Sequence, residues 1–215
     1  HNEVDTIGEV VQKCIAVLGA SLHELIVVDD GSTDNTYGQA RVNGARVIRL
    51  VPNRGKGVAI RRGIEQTSGD WIVFLDADGQ DDPVEIPKLL EAATGDTVLV
   101  NGSRFLGTLN EGAISKPNFI GNIAMTGLLD LAFGARITDS QAGFRAIRGD
   151  IARKLKLESK EYEIETEMLA QVLKHGYRVI EVPVNRYARA AGRTDFRRIR
   201  NGMRILWTIG KQRMQ

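Results

Sequence analysis

Trp71-Ile72-Val73-Phe74-Leu75-Asp76-Ala77-Asp78-Gly79-Gln80-Asp81-Asp82-Pro83 is the stretch that decides how this chain folds. Its first five residues are apolar, with β-branched and aromatic side chains, and read as a buried strand. The strand gives way at Asp76 to a turn crowded with carboxylates. Pro83 then stands where a helix begins, a position at which its missing N–H costs nothing. Strand, acidic turn and helix make one βα unit.

The unit recurs on both sides. Residues 25–28 form a short apolar run that ends in Asp29-Asp30-Gly31-Ser32, residues 47–50 a further strand, and residues 57–67 a helix. Residues 98–100 run as a strand into Asn101-Gly102-Ser103-Arg104. Upstream, Ile7, Val10, Val11, Cys14, Ile15 and Leu18 keep helical spacing, with Thr6 and Glu9 placed as a capping box and Gly19 as the stop. Downstream, residues 119–133 are mostly apolar. Asn122, Asp130 and the short length argue for a buried or interfacial helix over a membrane span. Residues 165–174 read as a helix, 179–182 as a strand, and 196–213 as a basic amphipathic helix carrying Ile199, Met203, Leu206 and Trp207. Alternating strands and helices predict an α/β fold, a three-layer sandwich around a mainly parallel central sheet. No repeat, low-complexity tract or linker divides residues 1–215, so one domain is expected.

Composition narrows the class. The chain is 42% hydrophobic and 26% charged, an ordinary globular balance. Cys14 is the lone cysteine, which excludes an internal disulfide and a cysteine zinc site and points to a reducing, cytoplasmic compartment. The net charge of +2 conceals a division: from Arg186 onward there are nine Lys/Arg and one acid, so residues 186–215 carry +8 and the rest −6. A basic tail on an acidic body calls for an anionic partner or is a solvated helix face. No recognisable nucleic-acid module accompanies it, which disfavours that class of ligand.

In open α/β sheets, ligands sit beyond the carboxyl ends of the strands. Asp29-Asp30 and Asp76-Ala77-Asp78 both fall at such ends, so two acidic turns should face one cleft. Crowded carboxylates repel unless a cation or hydrogen-bond donors neutralise them. Asp76, Asp78 and Gln80 offer hard oxygen ligands suited to Mg²⁺ or Mn²⁺, which complete their shells with water and phosphate. Asn53-Arg54-Gly55-Lys56-Gly57 opens a helix, where Lys56 and the backbone can meet a phosphate or a nucleotide. It is not a nucleoside-triphosphatase loop, and no glycine fingerprint of a dinucleotide-binding dehydrogenase follows a strand.

The motifs in order are Asn2-Glu3, V-V-D-D-G-S-T-D (27–34), N-R-G-K-G (53–57), D-A-D-G-Q-D-D-P (76–83), G-S-R-F (102–105), D-S-Q-A-G-F-R (139–145) and E-V-P-V (181–184). The set closely resembles glycosyltransferase family 2, nearest to its dolichyl-phosphate mannosyl- and glucosyltransferase branch and prokaryotic relatives. The resemblance implies a GT-A fold and inverting transfer of a hexose from a nucleoside-diphosphate sugar, such as GDP-mannose or UDP-glucose. It implies that Asn2, Glu3 and Asp30 hold the nucleotide, with Asp30 near the base and Asp76 near the ribose and metal. Asp78 and Gln80 would ligate the metal, and Arg104 would meet the acceptor phosphate. Arg189 and Arg193 would lie over the donor and acceptor phosphates.

Two departures stand out. The family's hydrophobic strand before Asn-Glu is absent, so the native protein is expected to extend upstream. Lys116-Pro117-Asn118-Phe119 and Thr194-Asp195 replace the Arg, Ser and Ser-Lys positions frequent in the lipid-phosphate branch. Three readings stay open. One is transfer to a polyprenyl or dolichyl phosphate at a membrane surface, reached from the cytoplasmic face through the basic helix. The second is transfer to a soluble hydroxyl, with Asp139 as base or acceptor positioner. The third is a non-catalytic sugar-nucleotide module. For Asp139 itself, a turn cap supporting Arg145 is the structural alternative.

Overall fold

The computed structural model describes residues 1–189 and 198–214, and the side chain of Arg198 is not among those described. In chain order these form α1 (Ile7–Leu18), β1 (Ile26–Asp29), α2 (Thr36–Val42), β2 (Arg46–Arg49), α3 (Lys56–Gln66), β3 (Trp71–Phe74), α4 (Ile86–Ala92), β4 (Thr97–Ser103), α5 (Lys116–Phe133), β5 (Arg145–Arg148), α6 (Gly149–Ala152), α7 (Ile164–Lys174), β6 (Arg178–Pro183) and α8 (Arg198–Met214).

The strands make two sheets, β1–β2 paired in parallel and a four-stranded sheet ordered β3-β5-β4-β6. β5 runs antiparallel to β3 and β4, whereas β4 and β6 are parallel, so β3, β4 and β6 share a direction that β5 alone opposes. Sequence periodicity does not reveal β5. Residues 145–148 carry no strand pattern, yet Phe144, Ala146 and Ile147 are fully buried in the centre of the sheet.

The period-2 alternation of strands sorts the core into layers. Leu99 of β4 and Ile147 of β5 face Leu129 of α5, Met168 and Leu169 of α7, and Ile205 and Ile209 of α8. Their neighbours Val100 and Ala146 face Val10 and Cys14 of α1 and Leu89 of α4. Ile7 and Val11 of α1 close over β1–β2 with Ala40 and Val47. This is the three-layer α/β sandwich expected.

One local expectation, the capping box, needs correction, whereas Pro83 does open a helical turn. Thr6 caps no helix N–H; its hydroxyl donates to the carbonyl of Ala77 at 2.6 Å, and Glu9 pairs with Lys13 instead of closing a capping box. A contact seventy-one residues away outbids the local one, and it joins the N-terminal turn to the acidic turn after β3. Pro83 opens a short 3-10 turn over Pro83–Glu85, with Asp82 accepting from Val84 N, and α4 follows.

Candidate active site

The first acidic turn is welded to the glycine-rich loop. Asp30 is buried, and its two carboxylate oxygens accept from Arg54 N at 2.7 Å and Gly55 N at 2.8 Å. Asn53 Nδ2 donates to the Asp30 carbonyl. Gly31 has φ +72°, and a Cβ there would meet Asn53 N at 2.6 Å, so only glycine lets the two segments approach. Asp30 therefore organises the loop through the atoms expected to lie near a base. Asn2 braces the other side of the turn: its N–H donates to Ser32 Oγ and its Oδ1 accepts from Thr33 N.

The loop in turn delivers Lys56 to the second acidic turn. Lys56 Nζ lies 2.8 Å from Asp76 Oδ1 and 2.7 Å from Glu165 Oε1 at the start of α7. Burial works to raise the Asp76 carboxyl, but Lys56 and Arg186 overcome it and hold the group down at about 2. Burial opposes charge on Lys56, yet its two carboxylate partners push its ammonium well above the ordinary lysine range. Lys56, expected to meet a phosphate, is thus a bridge that orients Asp76. Gly143 lies against this pair, since a Cβ on it would sit 3.2 Å from Asp76 Oδ2 and 3.3 Å from Lys56 Nζ.

Asp78, beyond it, is also buried. Its Oδ1 accepts from Gln80 N, and its Oδ2 faces Arg189 Nη1 at 3.1 Å and Arg186 Nη2 at 4.0 Å. Arg189 also pairs with Glu3, whose carboxyl is raised by burial, against the pull of Arg189 and with the repulsion of Asp78. Arg186 donates to Gln80 Oε1 at 3.0 Å and pairs with Asp81 at 2.5 Å. Burial pushes the Asp81 carboxyl up, and Arg186 counters it. Gln80 Nε2 donates to the carbonyls of Ala113 and Tyr187. Glu3, Asp76, Asp78, Gln80 and Asp81 are thereby tied together by Lys56, Arg186 and Arg189. Arg193 lies outside the described residues.

Among the described residues no three acids are close enough to make an all-protein metal cage. The donor set still suits a hard cation of the Mg²⁺ or Mn²⁺ kind, which needs only one or two carboxylates and takes its other ligands from water and phosphate. Asp78 fits best: among the described residues its Oδ2 is held by guanidinium groups, and a cation with a diphosphate can take over that charge balance. Asp76 is committed through Oδ1 to Lys56, and the Gln80 amide is engaged at both ends.

On the acceptor side, Arg104 follows β4 directly. Its Nε and Nη2 donate to the two oxygens of Asp139 at 2.6 and 2.7 Å, and its N–H donates to the same carboxylate. Asp139 is fully buried, and Glu181 of β6 steadies its turn by accepting from Thr138 N and Asn101 Nδ2. A general base must reach the proton it abstracts. Both oxygens of Asp139 accept from Arg104, so as placed the carboxylate holds that guanidinium in position. It does not cap Arg145, which donates to the carbonyls of Ala142 and Glu165. Burial lowers that guanidinium to about 10.

Three site residues escaped the sequence reading. Asp81 stands in the sequence only as part of the D-A-D-G-Q-D-D-P motif, Arg186 as one cation of the basic tail, and Glu165 as one residue of a helix. The order of motifs gave no pairing that would have joined them.

Comparison with known proteins agrees with this geometry. Residues 1–156 match the family model for glycosyl transferase family 2. A dolichyl-phosphate hexose transferase of Haloferax volcanii is 30% identical over 213 residues, covering 98% of this chain and 90% of that protein. The dolichol-phosphate mannosyltransferase of Pyrococcus furiosus is 30% identical over 214 residues, covering 92% of this chain but 57% of that protein. A crystal structure of glucosyl-3-phosphoglycerate synthase from Mycobacterium tuberculosis with Mn²⁺ and UDP-glucose superposes with a TM-score of 0.76 at 25% identity, covering 98% of this chain and 75% of that one. Acidic turns beyond the strand ends, an arginine clamped opposite them and a family match across most of the sequence converge on one conclusion: the chain belongs to glycosyl transferase family 2 and is a glycosyltransferase of GT-A fold.

Proposed function

We propose that the protein transfers a hexose, with inversion, from a nucleoside-diphosphate sugar of the GDP-mannose or UDP-glucose type to a polyprenyl or dolichyl phosphate at the cytoplasmic face of a membrane. The observation that carries this reading is the Arg104–Asp139 clamp. It presents a guanidinium that spends only part of its donors on Asp139, and it occupies both oxygens of that carboxylate. An acceptor that needs no base matches this arrangement. A phosphate monoester of a lipid is already an anion at neutral pH; its oxygen bonds to the anomeric carbon while the bond from that carbon to the donor diphosphate breaks, and the electron pair leaves with the nucleoside diphosphate.

Asp78, with Asp76 and Gln80 beside it, would hold a divalent cation, which when bound offsets negative charge on the leaving diphosphate. Asn2, Glu3, Asp30 and Lys56 build the donor side by fixing the two acidic turns relative to each other. Arg104 and Arg189 supply positive charge for phosphates. The names of the two archaeal relatives point to the same acceptor class.

A second reading, transfer to a soluble phosphorylated hydroxyl acceptor, draws on the glucosyl-3-phosphoglycerate synthase likeness. It requires a base other than Asp139 as placed here. Radiolabelled sugar transfer from GDP-mannose and UDP-glucose separates the two, run with a polyprenyl phosphate or with 3-phosphoglycerate, in Mn²⁺ and in EDTA. The proposal expects metal-dependent label in the lipid phase. Label confined to the water-soluble acceptor would replace it with the second reading.

A further inference from the structure

Helix α3 has a face that the acidic turns do not use. Lys56 meets Asp76, and Ile60 and Ile64 pack into the core. Val58, Arg61, Arg62 and Glu65, spaced i, i+3, i+4 and i+7, line up on the opposite side of the helix. With Arg49 at the end of β2 and Arg54 in the loop before the helix, they wall a cavity of about 450 Å³. Sites for small molecules have volumes of about 300–1,000 Å³.

Charge sets this cavity apart. Residues 1–185 carry −6, yet four guanidinium groups line it and Glu65 is the one acid among its lining residues. Glu65 pairs with Arg62 at 2.9 Å, but both are exposed, and such a pair yields readily to a stronger anion. Arg49 Nε lies 3.3 Å from Asp29 Oδ2, and its Nη2 donates to the Ser32 carbonyl. Arg61 donates to the Ser159 carbonyl. A carbonyl fixes the direction of a guanidinium without neutralising it. The side chain of Arg54 is exposed and makes no hydrogen bond or ion pair among the described residues. Acids on the α7 side are engaged elsewhere: Glu158, which feels the charge of Arg61, pairs with Lys211, and Glu161, which lies against Gly55, pairs with Arg204. Like charges held together cost energy unless an anion joins them, and the guanidinium fork fits two phosphate oxygens at once.

We propose that this cavity is a binding site for a small phosphorylated anion, separate from the places of the donor and acceptor phosphates. Arg49 and Arg61 form its fixed walls, and Arg54 and Arg62 are the two guanidinium groups that close on the ligand. Arg54 also joins the site to the donor side. Its guanidinium reaches the cavity while its N–H donates to Asp30 Oδ1 at 2.7 Å, and Gly55 N donates to Asp30 Oδ2. An anion that takes hold of Arg54 therefore pulls on the loop that delivers Lys56. The site does not rest on the acceptor proposed above.

The full chain, ¹⁵N-labelled and in EDTA at near-physiological salt, is titrated with inorganic pyrophosphate. Calorimetry gives the affinity, and NMR follows the arginine Nε–H and backbone amide signals. One saturable site is expected, with the Nε–H signals of Arg49, Arg54 and Arg62 and the amides of Arg54 and Gly55 shifting on a single curve. Arg54→Gln and Arg62→Gln should each weaken binding about tenfold, the loss of one charge-assisted pair. Arg104→Gln, on the acceptor side, should leave the affinity unchanged. Sugar transfer in the absence of pyrophosphate should also be unchanged in Arg62→Gln, whose side chain touches neither acidic turn. Circular dichroism and the melting temperature should stay the same in both cavity variants, because the substituted side chains face solvent.

Three results would overturn the proposal: a response that never saturates, an affinity indifferent to both cavity variants, or shifts confined to Arg104, Arg186 and Arg189. The last would place the anion in the active site. Loss of basal transfer in Arg62→Gln with its fold intact would likewise merge the cavity with the donor site and end its separate role. Failure of the sugar-transfer assay with every acceptor, beside saturable pyrophosphate binding at the cavity, defeats the proposed function and leaves this site standing.

Discussion

At the scale of single residues, the site works by committing charged groups to one another before any ligand arrives. Asp76 shows the cost of undoing this. Its folded carboxyl, held at about 2, lies below the ordinary unfolded value of about 4. The Lys56 bridge therefore stabilises the fold fully above about pH 4, and that contribution fades as the pH falls toward 2. Lys56→Met should move the Asp76 titration, followed by carboxyl NMR, up to or beyond the ordinary range. Urea unfolding at neutral pH should show a loss of about 1–3 kcal/mol for the half-buried bridge.

Asp78→Ala should behave differently. Arg189 keeps Glu3 as a partner, so the melting temperature should change little, while sugar transfer falls at least about a hundredfold. Full turnover in that variant would remove Asp78 from the metal role. Asp139→Asn separates a positioner from a base. A base would be recognised by loss of about 10²–10⁴ in kcat and of the acidic limb of its pH profile. A clamp on Arg104 should instead raise KM for the acceptor, with kcat and its pH profile far less affected.

At the scale of elements, α3 is the one whose placement decides the site, because its first residue is Lys56. Its entry is fixed by close approach to the segment before α7: a Cβ on Gly57 would lie 2.3 Å from the Ser159 carbonyl. That segment is itself anchored, since Glu167 of α7 accepts from Glu158 N and Ser159 N. Gly57→Ala should force the two apart and destabilise the protein by about 1–3 kcal/mol in chemical unfolding. A parallel loss of transfer is expected, because Lys56 would leave Asp76. Helix α5 teaches a different lesson. Its apolar character is plain in the sequence, but a mostly apolar helix has no unambiguous inner face, and only packing showed that Thr126 and Leu129 turn inward while Leu131 turns out.

At the scale of the whole molecule, α8 closes the core, as Ile205 and Ile209 fill the layer beneath β4 and β5. Removing residues 197–215 is consequently no clean probe of membrane contact. The truncated chain should melt markedly lower, by scanning calorimetry, whether or not it meets lipid. Substitutions on the outer face are the informative ones.

Much of this was legible in the chain itself. Apolar runs ending in polar turns gave β1, β3 and β4, and the acidic turns after β1 and β3 the side of the sheet on which ligands gather, because strand burial and turn chemistry are local properties. The order of short motifs carried the family. What the chain could not express were pairings between distant residues: Lys56 with Glu165, Arg186 with Asp81, Arg104 with Asp139. Each sets a charge and an orientation through a contact made only when the layers close. Residues 145–148 likewise became a strand because two neighbours offered open edges. Periodicity records which residues avoid water, whereas the choice of partner among buried charges is an outcome of three-dimensional packing.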